Sequence, residues 1–133
     1  MKITSLNVDS KGDSYFTEVE TANPAGSNRE REQDVAYWQI WETQPGHFQD
    51  FKPSPDPRAL AVLAGKLEIT ASSGEKRTFS RGDTFLLQDI GGKGHAVRTL
   101  GWEVCSVLRV AMKQVMTAAA AGAAGGATPI EQR

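Results

Sequence analysis

The side chains that could do acid/base or anion chemistry are few and grouped. The stretch "DFKPSPDPR" (Asp50 to Arg58) brings Lys52, Ser54 and Arg58 together around three prolines, and "GGKGH" (Gly91 to His95) delivers a histidine out of a glycine loop. Arginine grips a carboxylate or phosphate through its planar fork, lysine offers a point charge, and histidine exchanges a proton near neutral pH. A metal centre is a poorer match. Zinc, iron, manganese or nickel needs several neutral imidazoles or carboxylates converging on the ion. The chain has only two histidines, His47 and His95, and one cysteine, Cys105. Lys52 and Arg58, protonated at neutral pH, would repel a divalent cation held beside them.

Elements must position these residues. At 133 residues the chain suits a single domain that can bury one core without metals or disulfides. Fifteen basic residues against sixteen acidic ones give a net charge of -1, so no whole-chain field draws it to nucleic acid or an anionic membrane. The lone cysteine excludes an internal disulfide framework and fits a reducing compartment, and no apolar run has the form of a signal-peptide core or a membrane span. These features set the expectation of a cytoplasmic protein with neither nucleic acid nor membrane as partner.

Short apolar or alternating segments separated by Gly, Pro, Ser, Asn and Asp clusters give the rhythm of an all-β domain of about ten strands. "DSYFTEVE" reads as an edge strand, and residues 21–34 as a polar loop. "VAYWQIWET" is a strand with Trp38 and Ile40 on one face and Tyr37 and Trp41 on the other. The proline-studded segment joins "HFQDFK" to a strand-turn-strand centred on Gly65. Turns at Ser72 to Gly74 and Arg81 to Asp83 and the glycine loop at 91–94 separate three further strands. In the last strand Cys105, Val107 and Arg109 alternate with Ser106, Leu108 and Val110, and Cys105 reads as an inert buried thiol. The barrel is expected over residues 1–112, with residues 113–133 a mobile Ala/Gly-rich tail. "GGKGH" is not a phosphate loop, because it lacks the Gly-Lys-Ser/Thr ending and leads into a strand.

The strand-turn-strand "VLAGKLEI" and the segment "GDTFLLQDIGGKGH" resemble the paired motifs of the cupin superfamily, the small jelly-roll barrels. The resemblance covers roughly Ile40 to Thr99 and extends to a group of small bacterial cupins. It implies a single cupin-type jelly-roll β-barrel, forming a homodimer. Residue by residue, the family's first-motif histidines fall on Lys52 and Ser54, its glutamate on Arg58, and its second-motif histidine on His95. The second motif's proline falls on Gln88 and its asparagine on Thr99. The metal-binding motif is therefore degenerate, with a loop two residues longer than the family pattern.

With three of four ligand positions replaced, no metal cofactor is expected; if one is present, it is a divalent transition metal at His95. If Lys52 and Ser54 point inward, period-two alternation turns Phe48 and Asp50 inward and His47 outward, an assignment that a bulge would reverse. The implied cavity, lined by Lys52, Ser54, Arg58 and His95, is cationic and suits a small anionic metabolite. His95 is the candidate acid/base of an isomerase or lyase type of reaction, and Lys52 a candidate nucleophilic amine. The rival readings are a non-catalytic ligand sensor or scaffold, a buried plug in which Lys52 and Arg58 pair with Asp50 or Asp56, and a metal-dependent cupin enzyme with atypical ligands.

Overall fold

The computed structural model describes residues 1–21 and 31–118; most of the polar loop expected at 21–34, and the tail from residue 119, lie outside the described residues. Ten strands are present: β1 (Lys2–Val8), β2 (Ser14–Glu20), β3 (Val35–Thr43), β4 (Phe48–Lys52), β5 (Arg58–Ala64), β6 (Lys66–Ala71), β7 (Lys76–Ser80), β8 (Thr84–Leu87), β9 (His95–Leu100) and β10 (Cys105–Met112). They form a six-stranded sheet, order β2-β1-β8-β5-β10-β3, and a four-stranded sheet, order β4-β9-β6-β7. All pairings are antiparallel except β1 with β8. The two sheets close over one core as a jelly-roll barrel, the architecture that alternating patterns with short turns require.

Inward positions alternate as a pleated strand demands. Leu60 and Val62 of β5, Leu67 and Ile69 of β6, Phe85 and Leu87 of β8 and Val107 of β10 are buried in one cluster with Cys105. Phe79 stacks on Phe85 with ring centroids 4.0 Å apart. Beneath the cluster Thr43 and Thr99 satisfy each other through a 2.6 Å hydroxyl contact.

β1 is the strand that the sequence pattern does not announce. It sits inside the six-stranded sheet and is covered on both faces, so "KITSLNV" shows no simple alternation of apolar and polar residues. Leu6 joins the main core. Ile3 packs on the outer face with Val19, Leu86 and Met112, and Met116 lies against this second cluster. The Gln88 side chain pins that segment, accepting from the Met116 amide at 2.6 Å and donating to its carbonyl at 2.9 Å. Within the tail expected from residue 113, Met116 packs on this outer layer and covers apolar surface that β1 and β8 would otherwise leave wet.

The inward assignment of Phe48 and Asp50 is also corrected. β4 meets β9 as Phe48↔Arg98 and Gln49↔Val97, then Lys52↔His95, so one extra residue bulges between Gln49 and Lys52. Phe48 points outward beneath the Arg98 guanidinium, 4.7 Å from its ring centre. Gln49 and Lys52 instead line the barrel cavity. His47 is exposed in the turn before β4.

The bulge is locked by Gly94. At φ 76° it lies so close to the Lys52–Pro53 peptide that an added Cβ would come within 2.1 Å of the Lys52 carbonyl carbon. Gly46 has a similar φ, 82°, but open space around it. Gly46→Ala should therefore cost about 1–2 kcal/mol, the ordinary penalty for a side chain in left-handed backbone. Gly94→Ala should cost at least about twice that in urea unfolding, and equal costs for the two would show that the proline segment moves aside freely.

Candidate functional site

A cavity of about 250 Å³ opens at one end of the barrel. The strands bring Lys52 from the end of β4, Arg58 from the start of β5, His95 from the start of β9 and Arg109 from β10 to its wall, with Gln49, Ser54 and Trp41 among the neighbours. No aspartate or glutamate is among the lining residues. Deeper down, the inward phases of the same strands become apolar: Arg58 gives way to Leu60, and His95 to Val97.

His95 is nearly sealed, its side chain 5% exposed, and its Nδ1 lies 2.6 Å from Oδ2 of the fully buried Asp89. A carboxylate facing Nδ1 accepts a hydrogen bond from the N–H there, which fixes the ring's orientation and leaves Nε2 as the nitrogen available to the cavity. The other Asp89 oxygen, Oδ1, has no hydrogen-bond partner among the described residues. Asp89 also anchors the proline segment, since its backbone carbonyl accepts from the Ser54 amide at 3.0 Å.

Arg58 is held by its neighbours. Its Nε donates to Asp56 at 2.7 Å and its Nη2 to the Tyr37 hydroxyl at 3.4 Å, and that hydroxyl in turn donates to Asp56 at 2.8 Å. Burial alone would lower the guanidinium pKa, but the bonds to Asp56 and Tyr37 more than offset it and raise Arg58 above the ordinary value. Arg109 has no ion pair among the described residues. Its Nη2 donates to Gln39, its plane lies over Trp41 at 4.6 Å, and its Nε is buried without a partner. Burial first, and then the charge on Arg58, lower its pKa. The repulsion follows from register: Arg58 pairs with Ala111 and Leu60 with Arg109, so the two arginines are diagonal neighbours on adjacent strands.

The structure thus brings Lys52, Ser54, Arg58 and His95 to one cavity. Half of the plug reading is realised, since Arg58 pairs with Asp56; Lys52 has no ion pair among the described residues and is exposed at the mouth, so its amine is not desolvated there. The Ser54 hydroxyl donates to the Asp56 carbonyl at 2.7 Å, which braces the segment. Sequence reasoning missed Asp89 and Arg109. Both carried a signal, because each is a charged residue in phase with buried neighbours, Asp89 with Phe85 and Leu87 and Arg109 with Cys105 and Val107. Cys105 is fully buried, and its thiol pKa is raised by burial and then by Glu103, opposed by a backbone hydrogen bond from Lys66.

A divalent transition metal does not fit these donors. Of the four positions where the cupin pattern supplies ligands, two carry cations and one a hydroxyl, which leaves the Nε2 of His95 as the single imidazole donor. Among the described residues no group of three or more His, Cys, Asp and Glu side chains could hold an ion.

Residues 30–90 match the model of the EutQ-like cupin domain, a stretch that ends before His95. Among solved structures, the chain is similar to the polyketide cyclase RemF from Streptomyces resistomycificus, at 16% identity and TM-score 0.51, covering 84% of this chain and 75% of that one. It is similar to the Cnp3 cupin domain of Schizosaccharomyces pombe at 17% identity and TM-score 0.50, covering 75% and 73%. A conserved protein of unknown function from Streptococcus pyogenes aligns at 23% identity and TM-score 0.49, covering 65% and 70%. No curated protein matches the chain.

The donor set predicts that elemental analysis of the purified, untagged protein will find first-row transition metals far below one atom per chain. Near-stoichiometric metal would mean that His95 has ligand partners other than those described.

Proposed function

We propose, for a chain that belongs to the cupin superfamily, that the mouth of the barrel binds a small organic anion, with the His95–Asp89 pair placed to exchange a proton with it. The observation that carries this reading is the lining: three cationic side chains, Lys52, Arg58 and Arg109, with no carboxylate among the lining residues and, among the described residues, an ion pair for Arg58 alone, to Asp56 behind it. Buried or half-buried charge without compensation destabilises a fold, so a cavity built this way favours an anion that replaces the missing partner. Arg58, already oriented by Asp56 and Tyr37, would present its remaining N–H groups to a carboxylate, and Arg109 and Lys52 would add charge. His95, its Nδ1 held by Asp89, would act through Nε2 as acid or base on a bond next to the anionic group. This favours proton transfer, isomerisation or elimination over chemistry that needs an electrophilic metal.

Calorimetric titration with small carboxylates and inorganic phosphate should show saturable binding that weakens as salt rises from 50 to 500 mM. Arg109→Gln and Arg58→Gln should each weaken it by roughly 10- to 100-fold, the equivalent of about 1.5–3 kcal/mol for a hydrogen bond to a charged group. His95→Gln should keep binding and abolish any turnover. Full affinity in both arginine variants would remove this function for the cavity.

We also propose that a second copy covers the outer face of the six-stranded sheet at β3. Two apolar rows cross three strands there, Trp38–Val110–Ala59 and Ile40–Leu108–Ala61, with Trp38 66% and Ile40 50% exposed at the sheet's free edge. Such a face beside a strand that, among the described residues, is paired on one side only favours self-association. Light scattering should report a dimer that Trp38→Glu combined with Ile40→Glu converts to a monomer; a monomeric parent at micromolar concentration would exclude it.

A further inference from the structure

We infer that Gln88 is a positioning residue for the His95–Asp89 pair, and that through it the segment around Met116 on the outside of the barrel holds the proton-exchanging group on the inside. The inference rests on the reading above for the use made of His95, but its test needs no bound ligand.

Gln88 and Asp89 follow β8 and reach opposite sides of the barrel wall, as consecutive residues of an extended chain do. Both are buried, Gln88 4% and Asp89 0% exposed. On the outer side the Gln88 carboxamide uses both its donor and its acceptor atoms. Its Nε2 donates to the Ser5 hydroxyl at 3.1 Å and to the Met116 carbonyl at 2.9 Å, and its Oε1 accepts from the Met116 amide at 2.6 Å. The Gln88 backbone amide donates to the Leu6 carbonyl at 2.8 Å. The Met116 segment is itself anchored on both sides. The Lys113 amide donates to the Asp34 carbonyl at 2.9 Å, and Arg31 Nη2 donates to the Thr117 carbonyl at 2.5 Å.

Asp89 needs such a hold. Its Oδ2 accepts from His95 Nδ1 at 2.6 Å, while Oδ1 is buried without a partner among the described residues. The bond to His95 alone resists rotation of the carboxylate, and a bare buried oxygen favours any movement that brings it water. Restraint must therefore come through the backbone, from the Ser54 amide donating to the Asp89 carbonyl at 3.0 Å and from Gln88 on the other side. Asp89 in turn selects the tautomer in which Nδ1 carries the proton and Nε2 offers its lone pair to the cavity. A role for Gln88 confined to tying down the outer segment would leave that tautomer untouched.

The test is NMR on the intact chain without ligand, at a pH above the titration of the imidazoles. His47 and His95 are the two histidines, and His95→Gln identifies the His95 signals. The wild-type ring should hold its proton on Nδ1 in a single, slowly exchanging tautomer. Gln88→Met keeps the side-chain volume and removes the three side-chain hydrogen bonds. It should mix the two tautomers and speed solvent exchange of the Nδ1 proton at least about 10-fold. Met116→Pro removes one of those bonds from the less buried outer segment, which keeps the test valid if Gln88→Met does not fold, and it should change the His95 signals in the same direction. Val19→Ala thins the neighbouring apolar cluster and makes none of these hydrogen bonds. It should lower the urea midpoint and leave the His95 signals in place.

A wild-type ring protonated on Nε2, unchanged His95 signals in the folded variants, or an equal change in Val19→Ala overturns the positioning role and leaves the anion-binding reading intact. Absence of carboxylate and phosphate binding in the titrations above overturns that reading without altering the His95 result.

Discussion

The close approach of Gly94 to the Lys52–Pro53 peptide is the contact on which the site depends. A backbone can lie this near another only where a Cβ is missing, and Gly94 supplies both that gap and the positive φ the loop needs. The contact sets Lys52 opposite His95 and stabilises the extra residue in β4. The other end of the glycine loop is tied down as well. Gly92 lies against the backbone of Gly12, Ser14 donates to the Gly94 carbonyl at 2.7 Å, and Lys93 reaches Asp13 at 2.8 Å. The loop therefore transmits the position of the β1–β2 hairpin to the mouth of the barrel.

Above that scaffold the charges are arranged unequally. Arg58 is compensated and oriented, His95 is oriented by a buried carboxylate, and Arg109 and Lys52 are left without a counter-ion among the described residues. A barrel needing only a closed end would be more stable with apolar residues at these positions, since burying charge opposes folding even when the charge is paired. The diagonal placement of the two arginines adds repulsion, which Tyr37 and Asp56 oppose. The apolar lower wall intensifies the field at the mouth, because charges beside low-dielectric surface are poorly screened.

The six-stranded sheet differs along its width. At β1 and β8 its outer face is covered by Met112 and Met116, held through Gln88, and Gln88 also donates to the Ser5 hydroxyl at 3.1 Å. At β10 and β3 the same face carries exposed Trp38 and Ile40. One sheet thus supports the site from behind at one end and presents an apolar surface at the other. Gln88 occupies the position of the cupin motif's proline, and its side chain works on the outside of the barrel.

The residue pattern alone specifies the strands that show period-two alternation, the glycine turns between them, and the inward phase of Arg58 with Leu60 and Val62. These follow from local rules, pleat and turn chemistry, that need no knowledge of neighbours. It also placed Lys52, Ser54, Arg58 and His95 at one cavity, because a resemblance at the glycine positions carries the barrel's register with it. The rest depends on contacts between segments distant in the chain. β1 is covered on both faces, so its pattern does not alternate, and the bulge in β4 depends on a backbone contact with Gly94, far along the chain. Asp89 and Arg109 became site residues because the glycine loop folds back on itself and β10 pairs with β5. Neither event is written in the spacing of the residues concerned, since inward phase states which side of a strand faces the core but not which charged groups will meet there.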